Sequence, residues 1–126
     1  MIQDVYIVGA TGNVGRALVK QIIEKDDTKP TRHANPTRIV GLASSTHTLY
    51  SPEGISAEQV YAFISRNYDG AQRYQHPAEI LGIVNQNHRK DVSTLVFVDA
   101  TAVDKPLTGF HKYVIEQTPH GIVTAN

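Results

Sequence analysis

The chain of 126 residues contains no cysteine. A disulfide framework, a thiolate nucleophile and a zinc–thiolate site are therefore excluded. Neither sign of charge predominates: 12 Lys and Arg balance 12 Asp and Glu, for zero formal net charge. A basic field that would draw nucleic acid or an anionic membrane surface is thus missing. No apolar run approaches the ~20 residues of a membrane span, and the N-terminus lacks a basic region followed by an apolar stretch. These absences lead to the expectation of a cytoplasmic protein with no nucleic-acid or membrane partner. The histidines at 33, 47, 76, 88, 111 and 120 are scattered without metal-ligand spacing, so no metal site is assigned. What remains is an ordinary globular composition, 40% hydrophobic and 19% charged, at a length that suits one domain.

Short apolar runs alternate with helical patterns. Val5–Val8 reads as a buried strand ending at Gly9. Val14, Ala17, Leu18, Val19, Ile22 and Ile23 mark one face of a helix that runs to about Lys25. Residues 26–37 are polar, with two prolines, and read as a loop. Arg38–Ala43 is a second strand, Leu95–Val98 a third, and Ile122–Val123 opens a fourth. Between the second and third, Ser56 and Gln59 fit a capping box ahead of Val60, Phe63 and Ile64. Pro77 can start another helix, carrying Ile80, Leu81, Ile83 and Val84. Asp104 caps one more, with Pro106 in its first turn and Leu107, Phe110 and Val114 on its face. Strands alternating with helices imply an α/β fold with a parallel sheet, irregular or helical around 46–93.

Ligands of such sheets sit beyond the carboxyl ends of the strands. Those ends are Gly9-Ala-Thr-Gly, Ala43-Ser-Ser, Asp99-Ala-Thr-Ala and Thr124-Ala-Asn, all rich in small and hydroxyl residues. Gly9, Gly12 and Gly15 form G-x-x-G-x-x-G between a strand and a helix. In a dinucleotide loop the first glycine permits the turn, the second admits a pyrophosphate, and the third lets the helix lie close to the strand. The helix directs free N–H groups and its positive dipole end at the phosphates. No Gly-Lys-Ser/Thr follows, so a P-loop is unsupported. The acidic residue that commonly holds the ribose hydroxyls is absent from Ala43-Ser-Ser-Thr-His47. Hydroxyls with one imidazole accommodate a 2′-phosphate, so the cofactor is NADP or NAD, with NADP favoured. Asp99 is a carboxylate at a strand end; the plainer role for it is bonding to local backbone.

The later strands carry a resemblance. VFVDATA (96–102) resembles the VDCT(A/S)S-type segment of homoserine dehydrogenases, and GIVTAN (121–126) resembles their VVTANK or VVTPNK segment. RIVGLASS (38–45) is similar to their second strand, especially in fused aspartokinase–homoserine dehydrogenases. The resemblance implies a Rossmann-type doubly wound domain over 1–126, truncated relative to the family. By it, Gly9, Thr11, Gly12, Asn13, Val14 and Gly15 surround the pyrophosphate. Ala43, Ser44 and Ser45 lie near the adenosine ribose. Thr101 and Ala102 line the nicotinamide end, with Thr124 and Asn126 close by. The implied reaction is hydride transfer between NADP(H) and the aspartate semialdehyde/homoserine pair, on the route to threonine and methionine. Three departures stand out: one extra residue before the second glycine, Ala100 in place of the family's Cys, and an end at Asn126 where relatives continue. Their acid–base lysine, substrate carboxylates and dimer-forming sheet lie in that continuation. The expectation is a fragment that binds cofactor without turnover, has no catalytic residue of its own, and dimerises only with the missing domain.

The G-A-T-G-x-x-G form occurs in other families too. Aspartate-semialdehyde dehydrogenases need a cysteine nucleophile, absent here. Short-chain reductases need Tyr-x-x-x-Lys, and none of the six tyrosines has a lysine four positions on. A non-catalytic NADP-binding redox sensor of the NmrA or extended short-chain reductase type escapes that objection and stands as the alternative.

Overall fold

The computed structural model describes residues 2–28, 37–88, 93–101 and 120–124. Strand β1 spans Ile2–Val8, followed by helix α1, Asn13–Thr28, and β2, Thr37–Ala43. Then come β3 (His47–Tyr50), α2 (Ala57–Ile64), β4 (Gln72–Arg73), α3 (Pro77–Asn87), β5 (Ser93–Asp99) and β6 (Gly121–Thr124). Six strands form one sheet in the order β4-β3-β2-β1-β5-β6. The four strands read from the sequence are the parallel ones, with β1 flanked by β2 and β5, and β5 by β6.

Parallel strands covered on both faces are apolar without interruption, and β1 shows why. Tyr6 and Val8 point into one core with Val40, Phe97 and the α3 residues Ile80, Leu81 and Val84. Val5 and Ile7 point into the other, with Val19 of α1 and Val60, Phe63 and Ile64 of α2. Helices thus lie on both faces. The Ser56–Gln59 capping box forms at the start of α2, and Pro77 begins α3 behind a second box made by His76 and Glu79. Backbone N–H groups of His76 and Gln75 donate to Glu79 and hold its carboxyl below the usual range.

Four expectations change. The sheet is not wholly parallel: β3 and β4 extend it from β2 as antiparallel strands. With four and two residues, they are too short for alternation to show in sequence. Helix α1 continues to Thr28, past the expected stop, because nothing before Pro30 breaks a helix. Val14 leaves the apolar face and is 48% exposed, since Leu18, Val19, Ile22 and Ile23 already fill the contact with the sheet. Ala17 is exposed as well. The expected helix over Asp104–Val114 lies outside the described residues. Among those described, no helix is long and apolar enough to cross a membrane.

The register of β1 against β2 slips once, pairing Val5 with Ile39 but Tyr6 with Gly41. The Tyr6 ring lies over Gly41 so closely that a Cβ there would fall inside it. Tyr6 is fully buried, hydrogen-bonded to Thr48, and its burial raises the phenol pKa. Gly41→Ala is accordingly expected to lower stability by about 1–3 kcal/mol, the cost of overpacking a filled core. Urea denaturation measures it, and an unshifted midpoint would contradict the contact.

At the amino edge of the sheet, Asp4 is fully buried. Arg38 donates to it through Nε at 2.9 Å and Nη2 at 3.2 Å, and Ser93 Oγ donates at 2.6 Å. His88 Nε2 stands 3.8 Å from the same carboxylate. The remaining Arg38 donors reach the carbonyls of Pro52 and Glu53, both at 3.1 Å. Burial, aided by the negative charge of Asp4, pushes the nearby Tyr50 phenol up to about 12. This cluster ties β1, β2 and β5 together at the end opposite Gly9.

Candidate dinucleotide site

Chain order reverses across β1: the chain passes to β2 on one side and returns to β5 on the other. A crevice at the carboxyl ends of these strands is where open α/β sheets receive ligands. Three sequence blocks far apart in the chain meet there. The Gly9 and Ala10 N–H groups both donate to the Ala43 carbonyl, at 2.8 and 3.0 Å, joining the glycine loop to the end of β2. Ala100 N–H donates to Val8 O at 2.8 Å, joining the end of β5 to β1.

Each glycine of the loop has a separate reason. Gly9 has φ +83°, where side chains are strained, and a Cβ would lie 2.8 Å from the Thr101 nitrogen and 2.9 Å from the Ala100 carbonyl carbon. Gly15 is buried, and a Cβ on it would lie 2.8 Å from Ala10 Cα and closer still to Gly9 O. It sets how near α1 approaches the turn. Gly12 differs. A Cβ there would meet only Gly9 O, at 3.6 Å, and otherwise point into open space. Packing within this chain therefore does not demand a glycine at position 12.

The turn commits the Gly12 N–H to Gly9 O at 3.2 Å, and the first intrahelical bond runs from Arg16 N–H to Gly12 O at 2.9 Å. Asn13 and Val14, both exposed, thus begin the helix before any i→i−4 bond, so their N–H groups have no intrahelical acceptor. No acidic residue occupies this first turn. The helix dipole is not offset locally, and an anion would gain from both dipole and donors.

Ser44 is buried, and its hydroxyl accepts from Thr46 N–H at 3.2 Å and His47 N–H at 3.0 Å. Ser44 N–H donates to His47 O at 2.8 Å, while Tyr74 OH donates to the Ser44 carbonyl. Burial raises the Tyr74 phenol pKa. Ser44 therefore builds the β2–β3 turn and holds Ser45 and Thr46 out toward solvent. Asp99, 3% exposed, accepts from Thr101 N–H at 3.0 Å and Thr101 Oγ1 at 2.6 Å, the local backbone role expected of it. The backbone of Thr124 pairs with Asp99 at the end of β6. Of the residues read from sequence, Gly9, Thr11, Gly12, Asn13, Val14, Gly15, Ala43, Ser44 and Thr101 gather around one edge, with Ser45 at its rim. Ala102 and Asn126 lie outside the described residues.

Sequence reasoning noted the His47 imidazole at the end of β2 but missed Tyr68 and Arg73. The His47 ring stacks on Tyr68 with centroids 4.2 Å apart and planes at 12°, and Arg73 is the cross-strand partner of His47. No short-range signal links them, because 20 or more positions separate His47 from both.

The architecture is a Rossmann-like α/β sheet, mostly parallel, with helices on both faces and a glycine-lined crossover at its switch point. The chain superposes over its whole length on a homoserine dehydrogenase from Thermoplasma acidophilum, with a TM-score of 0.67 and 16% sequence identity. It spans 35% of that protein's chain, so the likeness is one of fold. No family model and no curated protein matches the sequence.

Proposed function

We propose that this chain is the nicotinamide-dinucleotide-binding domain of a dehydrogenase of the homoserine dehydrogenase kind, with NADP favoured over NAD. The observation that carries the proposal is Gly12. Gly9 and Gly15 are explained by internal packing, whereas Gly12 faces open space at a helix start whose first N–H groups have no intrahelical acceptor. A missing side chain that the protein itself does not need suits a ligand's approach. The bound cofactor supplies hydride chemistry, while the protein binds it, orients it and keeps water from it. In this reading Asn13 and Val14 donate to the pyrophosphate. Ala43 and Ser45 border the adenosine ribose, and Thr101, Ala102, Thr124 and Asn126 stand at the nicotinamide end. Ser44 holds the ribose-side turn rather than offering a free hydroxyl. Aspartate semialdehyde and homoserine are the proposed substrates of a larger protein that would contain this domain. Acid–base catalysis is assigned to no residue of this chain.

The test is calorimetry and thermal melting with NADPH and NADH. A ligand at 100 times its Kd adds about 2.7 kcal/mol of stability, which raises Tm by several degrees in a domain of this size. Binding without homoserine oxidation by this chain is the expected result. No heat and no shift with either dinucleotide would refute the site.

A further inference from the structure

We infer that Arg73, with His47, forms the subsite that recognises the 2′-phosphate of an adenine dinucleotide and so sets its preference for NADP; this rests on the dinucleotide reading above. The glycine loop addresses only the pyrophosphate, which NAD and NADP share. Discrimination must come from groups beyond the end of β2, on the ribose side of the crevice. Residues 43–47 contain no carboxylate to hold a free 2′-hydroxyl or to repel a phosphate.

The structure adds a guanidinium to that place. Strand β3 returns from the 44–47 turn, and β4 adds beside it with Arg73 directly opposite His47. Opposed residues of an antiparallel pair share one face with Cβ atoms about 5 Å apart. That face is known here. Thr48 contacts Tyr6 in one core, whereas the His47 ring stacks on Tyr68, which packs against the core that holds α1 and α2. His47 and Arg73 therefore project on the α1 side of the sheet, beyond the β2 end that receives the Gly9 and Ala10 N–H groups.

Two features make the pair suited to a dianion. Arg73 is exposed and makes no ion pair or side-chain hydrogen bond among the described residues. Its five-donor fork matches phosphate oxygens in pairs. His47 is already fixed in orientation: Tyr68 holds its plane, and Thr46 Oγ1 bonds Nδ1 at 2.8 Å, leaving Nε2 for a ligand. Exposed Ser45 adds a hydroxyl at the same rim.

The experiment compares the full chain with Arg73→Ala and with His47→Phe, which keeps an aromatic ring on Tyr68 but removes Nε2. Affinities are measured by calorimetry for four probes: NADPH, NADH, adenosine 2′,5′-bisphosphate and 5′-AMP. Arg73→Ala is expected to weaken NADPH and the bisphosphate by about 10- to 100-fold, the range of a charge-assisted contact, and to leave NADH and 5′-AMP unchanged. His47→Phe should give the same pattern at about 3- to 10-fold, as for a neutral hydrogen bond. Equal loss for all four probes, no loss for any, or an unmodified chain that prefers NADH would overturn the assignment while leaving a dinucleotide site standing. An unmodified chain that binds none of the four would instead refute the dinucleotide reading, and this subsite with it.

Discussion

Gly12→Val is expected to fold and yet to lose about 100-fold or more in dinucleotide affinity. The fold survives because a Cβ at position 12 meets nothing closer than Gly9 O at 3.6 Å. The stability cost is about 1 kcal/mol, that of placing valine where a helix N-cap prefers Gly, Ser or Asp. Binding fails because the branched side chain occupies the space through which a pyrophosphate would reach the Asn13 and Val14 N–H groups. Losing one or two hydrogen bonds to a charged group, each about 1.5–3 kcal/mol, gives a deficit of that order. The contrast is Gly15→Ala. There the new methyl meets backbone, Ala10 Cα at 2.8 Å and Gly9 carbonyl carbon at 2.9 Å, and backbone cannot step aside cheaply. That variant should lose about 3 kcal/mol of stability through overpacking. Melting curves and calorimetry on both variants separate a glycine kept for a ligand from one kept for the fold. A Gly12→Val chain with unaltered affinity would place the pocket elsewhere.

Asp4→Ala is expected to destabilise the domain by about 3 kcal/mol, the lower end for breaking one side of a buried ion pair. The lower end applies because the Arg38 side chain is 25% exposed and keeps two backbone carbonyls as partners. The loss also leaves Ser93 Oγ without the acceptor it reaches at 2.6 Å. Against a typical total of about 5–15 kcal/mol, that is a large fraction. Affinity of the folded fraction for NADPH should not change, because Asp4 and the glycine loop lie at opposite ends of β1. Urea denaturation followed by titration at low urea measures both quantities. An unchanged midpoint would mean that the three strands do not depend on this clamp.

How far the sequence could be read depended on the range of the interaction. Val5–Val8, Arg38–Ala43 and Leu95–Val98 stood out because a strand buried on both faces needs an unbroken apolar run. The Ser56–Gln59 box and Pro77 were legible because capping is settled within four residues. Val14 was misplaced because periodicity gives a face but not its width, and Leu18, Val19, Ile22 and Ile23 already fill that face. The hairpin of β3 and β4 was invisible for another reason. His47–Tyr50 and Gln72–Arg73 become strands by pairing with chain already in place, and two to four residues carry no period of their own. Arg73 was passed over on the same account, since the approach to His47 exists only once β4 has docked.

By itself, then, the sequence determined the parallel core, its flanking helices and the glycine-rich crossover, all of which follow from local propensity and burial pattern. Tertiary structure alone decided which glycine is spare, that Ser44 is spent on a turn, and which cation stands across from His47. These are questions of distance between residues remote in the chain, and such distances are fixed only when the sheet assembles.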